Sequence, residues 1–371
     1  MDSNNNNLQD NNCGITDPEE FMRLCLSLAE KAKGFTAPNP MVGAVLVHNN
    51  RIIGEGWHHF YGADHAEVNC LKNVADSDRN LIPESAMYVN LEPCAHFGIT
   101  PPCANRLVQE QVKKVVIANT DPFEKVSGRG ITILKEGGIE VITGVCEQEG
   151  MWLNRRFFCS HSKRRPYIIL KWAQTADGFI APNNRSRYQI TGIESQQLVH
   201  KWRTEEAAIM VGTTTALNDN PQLTARLANG HSPLRIILDN KLRIPGTHHI
   251  YDNSAATWII NGQKELLMGN VHFVKLSFDD SLIANLMAKL FEAKLPSLIV
   301  EGGAALLSTF IRLGLWDEAR VFTGPKQLSE GIMAPEIKEI DPCIQSNVGD
   351  DSLNVYINPS SKYPFVPGME L

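Results

Sequence analysis

The feature that most constrains this chain is a set of metal-binding side chains spread over two short motifs. A single histidine, His65, is followed two residues later by Glu67, and two cysteines, Cys94 and Cys103, each follow a proline. Three protein ligands leave one tetrahedral position of Zn²⁺ open for water, whereas a structural site normally uses four. The pattern therefore predicts a catalytic zinc site, in which the metal lowers the pKa of a bound water toward neutrality.

Glu67 is predicted to move protons and not to bind the metal, which is the arrangement in zinc-dependent nucleobase deaminases. The alternative is that His65 and the cysteines are packed core residues, since free Cys is among the most buried residue types. The ordered spacing favours the metal site. Eight residues separate Cys94 from Cys103, in contrast to the usual C-x-x-C of deaminases. The chain must therefore form a loop after Cys94 before Cys103 reaches the metal. The prolines before Cys103 place it in the first turn of a helix.

Length and composition limit the class of protein. A chain of 371 residues exceeds the size at which single cores usually stop growing, so we expect two domains. A net charge of −6 argues against a nucleic-acid partner. Eight cysteines, two of them assigned to metal, favour a reducing cytoplasm over a disulfide framework. No apolar run approaches the roughly 20 residues of a membrane helix, and the Asn-rich start lacks the features of a signal peptide.

The first half of the chain alternates strands and helices. Asp17 and Pro18 begin a helix, as N-cap and first helical residue, and Gly34 ends it. Asn49-Asn50 joins strands 41–47 and 51–56 in a hairpin. Further strands are predicted at 86–91, 114–119 and 139–143, and further helices at 65–73, 103–111 and 128–136. The alternation predicts a three-layer α/β unit, whose sites form where strands end and helices begin.

A second α/β pattern begins at Pro166. A helical stretch over 147–158 leads to the basic patch 163–165, which we interpret as a solvated linker. Strands are then predicted at 167–171, 207–212, 234–238, 257–261 and 297–301, and helices at 194–203 and 282–291. No G-x-G-x-x-G follows a strand, so the Rossmann fingerprint is absent. Gly302-Gly303 before a helical pattern indicates either a phosphate-binding turn or a plain tight turn.

Motifs in both halves resemble those of one enzyme family, the bifunctional deaminase/reductases of riboflavin biosynthesis. In the first half they are 37–43 (APNPMVG), 54–58 (GEGWH), 65–67 (HAE), 91–98 (LEPCAHFG), 100–103 (TPPC), 121–122 (DP) and 128–130 (GRG). In the second half they are 170–173 (LKWA), 177–178 (DG), 190–192 (ITG), 211–212 (VG), 219–226 (DNPQLTAR) and 301–303 (EGG). The resemblance extends over nearly the whole chain.

The resemblance implies an α/β protein with an N-terminal cytidine-deaminase-like three-layer domain followed by a dihydrofolate-reductase-like α/β domain. The second domain would then bind NADPH without the Rossmann fingerprint. We expect a disordered tail at 1–14, a zinc deaminase domain at 15–147, a linker at 148–165 and an NADPH-dependent reductase domain at 166–371. The resemblance also suggests a homo-oligomer.

Two reactions are implied by the resemblance. The first is hydrolytic removal of the 2-amino group from 2,5-diamino-6-(5-phosphoribosylamino)pyrimidin-4(3H)-one at the zinc site. Zinc-activated hydroxide would attack the amino-bearing carbon while Glu67 transfers protons to the ring nitrogen and to the departing ammonia. The second is reduction of the ribosyl group of 5-amino-6-(5-phosphoribosylamino)uracil to ribityl, with hydride from NADPH.

The resemblance also assigns binding residues by position. Substrate positions in the first domain are Asn39, His58 and His96. Those in the second domain are Lys171, Thr175, Asp177, Arg203, Leu223, Arg226 and Glu301, of which the two arginines suit a phosphate. Cofactor positions are Ala173, Gln189, Thr191, Thr215, Asp219, Gly302 and Gly303.

Plainer roles are open for two of these side chains. Asp177 can close the turn with Gly178, and Thr215 can cap the next segment.

The chain departs from the family at two positions. Ile99 stands where the family usually has Lys or Arg, which removes a basic contact beside the zinc loop. Gln189 stands where it has an aromatic residue, although Tyr188 is adjacent and shifts that contact by one position.

Two other classes of protein remain as alternatives. One is a zinc nucleoside or tRNA deaminase with an unrelated C-terminal domain, against which the long spacer between the cysteines, the acidic charge and the second-half motifs argue. The other is a zinc-stabilised binding module, which would need a fourth ligand in place of the free Glu67.

Overall fold

The computed structural model describes residues 17–95, 101–123 and 127–369. The described chain forms two compact units. The first contains the residues up to Ala32 and from Met41 to Gly150, and the second contains Lys33–Pro40 and the residues from Met151 onward. The expected tail at 1–14 lies outside the described residues, and the expected domain boundaries stay a prediction.

The first unit is a mixed five-stranded sheet between helices, in strand order β2-β1-β3-β4-β5 over the described chain. Its strands are β1 (Gly43–His48), β2 (Arg51–Trp57), β3 (Ala86–Leu91), β4 (Lys114–Asn119) and β5 (Glu140–Thr143). Its helices are α1 (Pro18–Glu30), α2 (Ala66–Lys72), α3 (Cys103–Gln109) and α4 (Arg129–Glu136). The β1 pairings are antiparallel, whereas β3, β4 and β5 run parallel, so the carboxyl ends of β3 and β4 meet at one edge.

The two faces of this sheet are covered by different helices. A side chain at Gly43 would clash with the Cys25 carbonyl, so α1 lies directly against β1 on one face. The next residue, Ala44, packs instead with Cys70 of α2 and Leu107 of α3 in a buried cluster on the other face. Because successive strand residues point to opposite faces, the layers are helix, sheet and helix, as predicted. The side chain of Asp17 accepts from the Glu19 N–H at 3.0 Å, so the predicted N-cap is confirmed.

The second unit is built on a ten-stranded sheet, in order β11-β12-β10-β9-β8-β13-β6-β14-β17-β16 over the described chain. Its strands are β6 (Tyr167–Gln174), β8 (Ala208–Gly212), β9 (Leu234–Leu238), β10 (Thr257–Asn261), β11 (Leu266–Met268), β12 (Val271–Lys275), β13 (Ser297–Glu301), β14 (Glu318–Thr323), β16 (Ile344–Val348) and β17 (Asp351–Ile357), and β7 (Phe179–Ala181) pairs separately with β15 (Ile332–Met333). Its helices are α5 (Glu147–Leu153), which begins in the first unit, α6 (Arg155–Lys163), α7 (Ile193–Glu205), α8 (Thr213–Asp219), α9 (Leu282–Glu292) and α10 (Ala304–Arg312).

Seven adjacent strands of this sheet are parallel, from β12 to β14, and antiparallel strands flank them. The parallel strands are apolar because helices cover them, and Leu170, Met210, Ile236 and Val300 belong to one buried cluster. Strands predicted at 234–238, 257–261 and 297–301 are confirmed with those bounds. Among the described residues, no helix combines the length and apolar character that a membrane crossing requires.

The basic patch at 163–165 is not a solvated linker. The Lys163 ammonium lies 2.9 Å from Asp317, and the Arg165 guanidinium lies 2.5 Å from the same carboxylate. Asp317 is fully buried and also accepts from the N–H of Ile168. The expectation that the patch is solvated was wrong for Lys163 and Arg165, because their buried partner lies more than 150 residues away in sequence and gives no local signal.

Candidate active sites

The first site lies where β3 ends and where α2 and α3 begin. His65 is the residue before α2, Glu67 lies in the first turn of that helix, and Cys103 is the first residue of α3. Cys94 follows β3 by three residues. The helix starts and the strand end converge at one edge of the sheet, which is where α/β proteins form their sites.

The three predicted metal ligands lie together. The Nδ1 atom of His65 is 3.4 Å from the sulfur of Cys94 and 3.3 Å from the sulfur of Cys103, and all the ligand atoms lie within 4.8 Å of one another. Zn–S and Zn–N bonds of about 2.3 and 2.1 Å at tetrahedral angles separate sulfur from nitrogen by about 3.6 Å. The spacing of the three atoms therefore fits one zinc ion with an open fourth position.

The electrostatics of the two thiols also fit a cation. The Cys103 thiol donates to the Cys94 sulfur and lowers the pKa of Cys94. The pKa of Cys103 is raised, first because of this hydrogen bond and then because of burial. One thiolate thus opposes ionisation of the other, and a divalent cation between them removes that repulsion and allows both to bind as thiolates.

Glu67 is positioned to exchange protons at this site. Its side chain is only 3% exposed, and burial raises the pKa of its carboxyl group. The sulfur of Cys103 lies within hydrogen-bonding reach of the carboxylate, so Glu67 faces the metal-binding atoms. Glu67 is not among the residues whose ligand atoms cluster in the described chain, and these contacts are those of a proton carrier next to the metal.

The predicted substrate residues of the first domain fall in different places. His58 is buried, its ring centroid lies 5.5 Å from that of His65, and its Nδ1 lies 3.0 Å from the Asp64 carbonyl. Burial lowers the pKa of His58. Asn39 belongs to the segment Lys33–Pro40, which is grouped with the second unit. His96 and the departure at Ile99 lie outside the described residues.

The second site is a cavity of about 720 Å³ in the second unit. It opens where β6 and β13 end and where α8 and α10 begin. Twelve of the predicted second-domain positions line it: Lys171, Ala173, Gln189, Thr191, Arg203, Thr215, Asp219, Leu223, Arg226, Glu301, Gly302 and Gly303. A cavity of this size suits a small-molecule or cofactor site.

A charged cluster forms one wall of the cavity. Glu301 lies opposite Lys171 on the neighbouring parallel strand and binds the Arg203 guanidinium at 2.9 Å. Arg203 also donates to the Thr224 carbonyl at 3.1 Å. Burial would raise the pKa of Glu301, but Arg203 and Lys171 outweigh burial and lower it. Glu301 therefore stays ionised, and Arg203 has less donor capacity left for a ligand than the sequence indicated.

Arg226 is the freer of the two predicted phosphate-binding arginines. It is exposed at the cavity and forms no ion pair within the described part of the chain. Burial, Arg203 and Arg187 all lower its pKa, so positive charge accumulates at this end of the cavity. Burial raises the pKa of Asp219, with Arg187 acting in the opposite direction. The cavity thus carries unpaired guanidinium groups that match an anionic ligand.

The Gly302-Gly303 turn connects the cavity wall to α10. Gly302 has a φ of 122°, a conformation that favours glycine. The N–H of Gly303 donates to the Thr215 hydroxyl at 3.0 Å, which joins this turn to α8. The start of α10 therefore faces the cavity, and helix starts favour phosphate groups.

Thr175 and Asp177 do not line the cavity over the described residues. Thr175 is fully buried, and its hydroxyl donates to Asp177 at 2.5 Å. Asp177 also accepts from the backbone N–H groups of Leu328 and Ser329. These contacts are of the kind expected from a residue that closes a turn, so their assignment to substrate stays a prediction.

The sequence reasoning did not single out several cavity residues. His200 is buried on α7 one turn before Arg203, and its Nδ1 accepts from the Leu227 N–H at 3.4 Å. Burial, followed by Arg203 and Arg226, lowers the pKa of His200 to about 4, so its ring is neutral. His200 could have been found from its helical spacing to Arg203, which places both side chains on one face of α7. Arg185 and Arg187 also line the cavity, but they come from an irregular segment that has no periodic pattern.

Comparison with known proteins supports a deaminase domain in the first half of the chain and a reductase domain in the second. Residues 15–119 match the cytidine and deoxycytidylate deaminase zinc-binding region, and residues 166–336 match the RibD C-terminal domain. The chain is 38% identical to riboflavin biosynthesis protein RibD of Aquifex aeolicus, with 90% of this chain and 96% of the relative aligned. It is 37% identical to the RibD protein of Bacillus amyloliquefaciens, with 86% and 87% aligned.

Solved structures of similar proteins superpose on this chain over both units. The Thermotoga maritima diaminohydroxyphosphoribosylaminopyrimidine deaminase/5-amino-6-(5-phosphoribosylamino)uracil reductase superposes with a TM-score of 0.83 at 32% identity, covering 92% of this chain and 98% of that one. RibD of Acinetobacter baumannii also gives 0.83 at 32% identity, covering 91% and 98%.

The fold and the two sites define a two-domain enzyme that joins a zinc-dependent deaminase to an NADPH-dependent reductase. The chain belongs to the RibD family of riboflavin biosynthesis proteins. It is a bifunctional hydrolase and oxidoreductase of that pathway, with Zn²⁺ and NADPH as cofactors. The match at 166–336 removes the alternative in which the C-terminal half is unrelated.

Proposed function

We propose that the first unit deaminates 2,5-diamino-6-(5-phosphoribosylamino)pyrimidin-4(3H)-one, with His65, Cys94 and Cys103 holding the zinc ion. The observation that carries this proposal is the spacing of these three ligand atoms beside the buried Glu67. When bound, Zn²⁺ lowers the pKa of a water molecule so that it is nucleophilic at neutral pH. We assign His58, whose ring lies against that of His65, to the substrate of this site.

Glu67 carries the protons in this proposal. It accepts one proton from the attacking water and passes it to the ring nitrogen. It then takes the second proton of that water from the hydroxyl group now on the ring carbon and gives it to the amino group, which leaves as ammonia. Its position supports this role, because the buried side chain lies beside the three ligand atoms, where the attacking water and the ring nitrogen meet. Water enters and ammonia leaves, so the ring carbon exchanges its amino group for an oxygen.

The second unit reduces the ribosyl group of 5-amino-6-(5-phosphoribosylamino)uracil in this proposal. NADPH supplies the hydride when bound, and we assign its contacts to Ala173, Gln189, Thr191, Thr215, Asp219, Gly302 and Gly303. Lys171, Glu301 and Leu223 hold the ribosyl end of the substrate, and Arg226 binds its phosphate. The unpaired charge of Arg226 at the cavity supports this assignment.

We also propose a cytoplasmic location and a homo-oligomeric assembly. The cysteines of the described chain are all unpaired, which supports a reducing cytoplasm. A homo-oligomer is expected from the family resemblance.

The purified protein tests the proposed reductase substrate directly. With 5-amino-6-(5-phosphoribosylamino)uracil it should oxidise NADPH, measured as loss of absorbance at the nicotinamide band, and it should not do so with the dephosphorylated compound at the same concentration. Equal rates with both compounds would contradict the assignment of a phosphate to this cavity.

A further inference from the structure

Glu92 is the most heavily hydrogen-bonded carboxylate near the zinc site. It follows β3 directly, stands two residues before Cys94, and is 3% exposed. One carboxylate oxygen accepts from the N–H groups of Asp121 at 3.2 Å and Gly128 at 3.0 Å. The other accepts from Gly130 at 2.9 Å and Ile131 at 3.2 Å.

The charge of Glu92 is balanced by backbone groups. No ion pair involves it within the described ranges. Three of the four donors lie at the start of α4, whose N-cap is Gly128, and the fourth, Asp121, follows the end of β4. A helix start presents unsatisfied N–H groups and the positive end of the helix dipole. The carboxylate therefore fastens the end of β3 to the start of α4.

Pro93 transmits this attachment to Cys94. A side chain at Gly130 would clash with the carbonyl of Pro93, so the Glu92–Cys94 segment lies directly against α4. The ring of Pro93 fixes its φ, which couples the positions of the residues on either side.

Two further hydrogen bonds of Cys94 come from α3. Its carbonyl accepts from the Ala104 N–H at 3.2 Å, and its sulfur accepts from the Cys103 N–H at 3.2 Å. Cys94 is thus held by α3 on one side and, through Glu92 and Pro93, by α4 on the other. Loss of the Glu92 contacts leaves the first set intact and removes the second.

We propose that Glu92 is a positioning residue of the metal site: its attachment to the start of α4 holds the Cys94 sulfur in ligand geometry before zinc binds. The inference rests on the proposed zinc site. Groups that orient metal ligands typically change metal affinity or activity by about 10- to 100-fold when mutated. Glu92 acts on the affinity because a mobile Cys94 must be ordered each time the metal binds.

Glu92→Gln tests this inference. The variant keeps the shape of the side chain but places an NH₂ group against two N–H donors. Its zinc affinity, measured by competition with a chromophoric chelator well below the unfolding temperature, should fall about 10- to 100-fold. With Co²⁺ in place of zinc, its absorption bands should shift, which reports altered ligand geometry independently of activity.

Two control variants separate positioning from general stability. Glu84→Gln changes an exposed carboxylate of the same unit and should alter neither zinc affinity nor spectrum. Leu134→Ala removes a fully buried side chain from α4 and should lower the unfolding temperature while leaving zinc affinity near the wild-type value.

Two further variants approach the same contact from other directions. Gly130→Ala presses on the Pro93 carbonyl without changing charge and should reproduce the loss of zinc affinity. Glu92→Asp keeps the charge but shortens the side chain, so it should also bind zinc more weakly. It replaces Glu92→Gln in the test if that variant does not fold. Wild-type zinc affinity and Co²⁺ spectrum in the folded variants would overturn the inference. Failure of the wild-type protein itself to bind zinc would instead overturn the proposed function.

Discussion

At the scale of single residues, the first site places each metal ligand and Glu67 at the end of a regular element. His65 and Glu67 come from the start of one helix, Cys103 from the start of another, and Cys94 from the segment after a strand. Such positions are fixed by the backbone, so a substitution there changes the chemistry more than the fold.

Replacing a ligand cysteine tests the metal assignment. Cys94→Ser or Cys103→Ser leaves two protein ligands, because a serine hydroxyl is a poor substitute for a thiolate. Each variant should lose zinc and deaminase activity. Elemental analysis measures the metal, and Cys70→Ser, which changes a buried cysteine away from the cluster, is the control. A full equivalent of zinc in either ligand variant would show that the assignment is wrong.

The isosteric change Glu67→Gln removes the proton-carrying group and keeps its size. The variant should retain zinc but deaminate roughly 10²-fold or more slowly, which is the usual scale of acid–base catalysis. Stopped assays of ammonia release measure the rate, and elemental analysis measures the metal. Near-normal turnover, or loss of zinc, would count against the role of Glu67.

The phosphate assignment in the second unit belongs to Arg226. Arg226→Ala should raise the KM for the phosphorylated substrate by a factor corresponding to about 1.5–3 kcal/mol, the value of a hydrogen bond to a charged group. The KM for NADPH should barely change, and Arg312→Ala, on the exposed end of α10, should change neither constant. An unchanged substrate KM, or a loss confined to NADPH, would move Arg226 out of the substrate site.

At the scale of elements, one buried carboxylate joins α6 to the sheet. Asp317 precedes β14 and binds both Lys163 and Arg165, which lie at and just beyond the end of α6. Burial would raise the pKa of Asp317, but the two cations outweigh burial and hold its pKa below the usual value. The ion pairs therefore contribute stability at neutral pH.

Removal of this charge should destabilise the second unit. Asp317→Asn leaves two cations without their buried partner and should lower the free energy of unfolding by about 3 kcal/mol at pH 7. Tryptophan fluorescence during urea unfolding follows this unit, because only Trp57 of the six tryptophans lies in the first. Glu336→Gln, which breaks an exposed pair with Lys338, should cost under about 1 kcal/mol.

The same variant predicts a dependence on pH. A carboxyl group with a lowered folded-state pKa gives stability that is present above its unfolded value, near 3.9, and lost as pH falls through the folded value. The difference between wild type and Asp317→Asn should therefore shrink as pH falls below about 4. A difference that persists unchanged at the lowest pH at which both remain folded would contradict the ionic role.

The elements that could be predicted from sequence are those with a continuous apolar pattern. Strands β3, β4, β9, β10 and β13 match their predicted bounds. Strand β14 was not predicted, because its charged residues Glu318 and Arg320 hide its periodicity. Both are fully buried and pair with each other at 2.6 Å. Buried ion pairs of this kind depend on contacts that a local pattern does not contain.

The two sites also differed in how far their residues could be predicted from sequence. The zinc trio could be predicted because residue type and order alone indicate a metal, and the structure brings its atoms together. The binding residues of the second unit were predicted from family resemblance. Two of them, Thr175 and Asp177, lie outside the cavity lining and make contacts within the protein that only the folded chain reveals. A site defined by residue types and their order can be predicted from sequence. Whether a side chain binds a ligand or a partner within the protein cannot.

At the scale of the whole molecule, the zinc-site residues and the cavity residues belong to separate units. His65, Glu67, Cys94 and Cys103 belong to the first, and the residues that line the cavity belong to the second. The product of the deamination is the substrate of the reduction, so one protein releases ammonia and then oxidises NADPH. Loss of the first chemistry should leave the second intact.

The central claim is tested most directly by one coupled measurement on the wild-type protein and Glu67→Gln. With the diaminopyrimidinone and NADPH, wild type should release one ammonia for each NADPH oxidised, with ammonia appearing first. Glu67→Gln should do neither at a comparable rate, yet should oxidise NADPH at the wild-type rate when given 5-amino-6-(5-phosphoribosylamino)uracil. NADPH oxidation from the diamino compound without ammonia release, or an equal loss of both activities in a folded Glu67→Gln protein, would contradict the account.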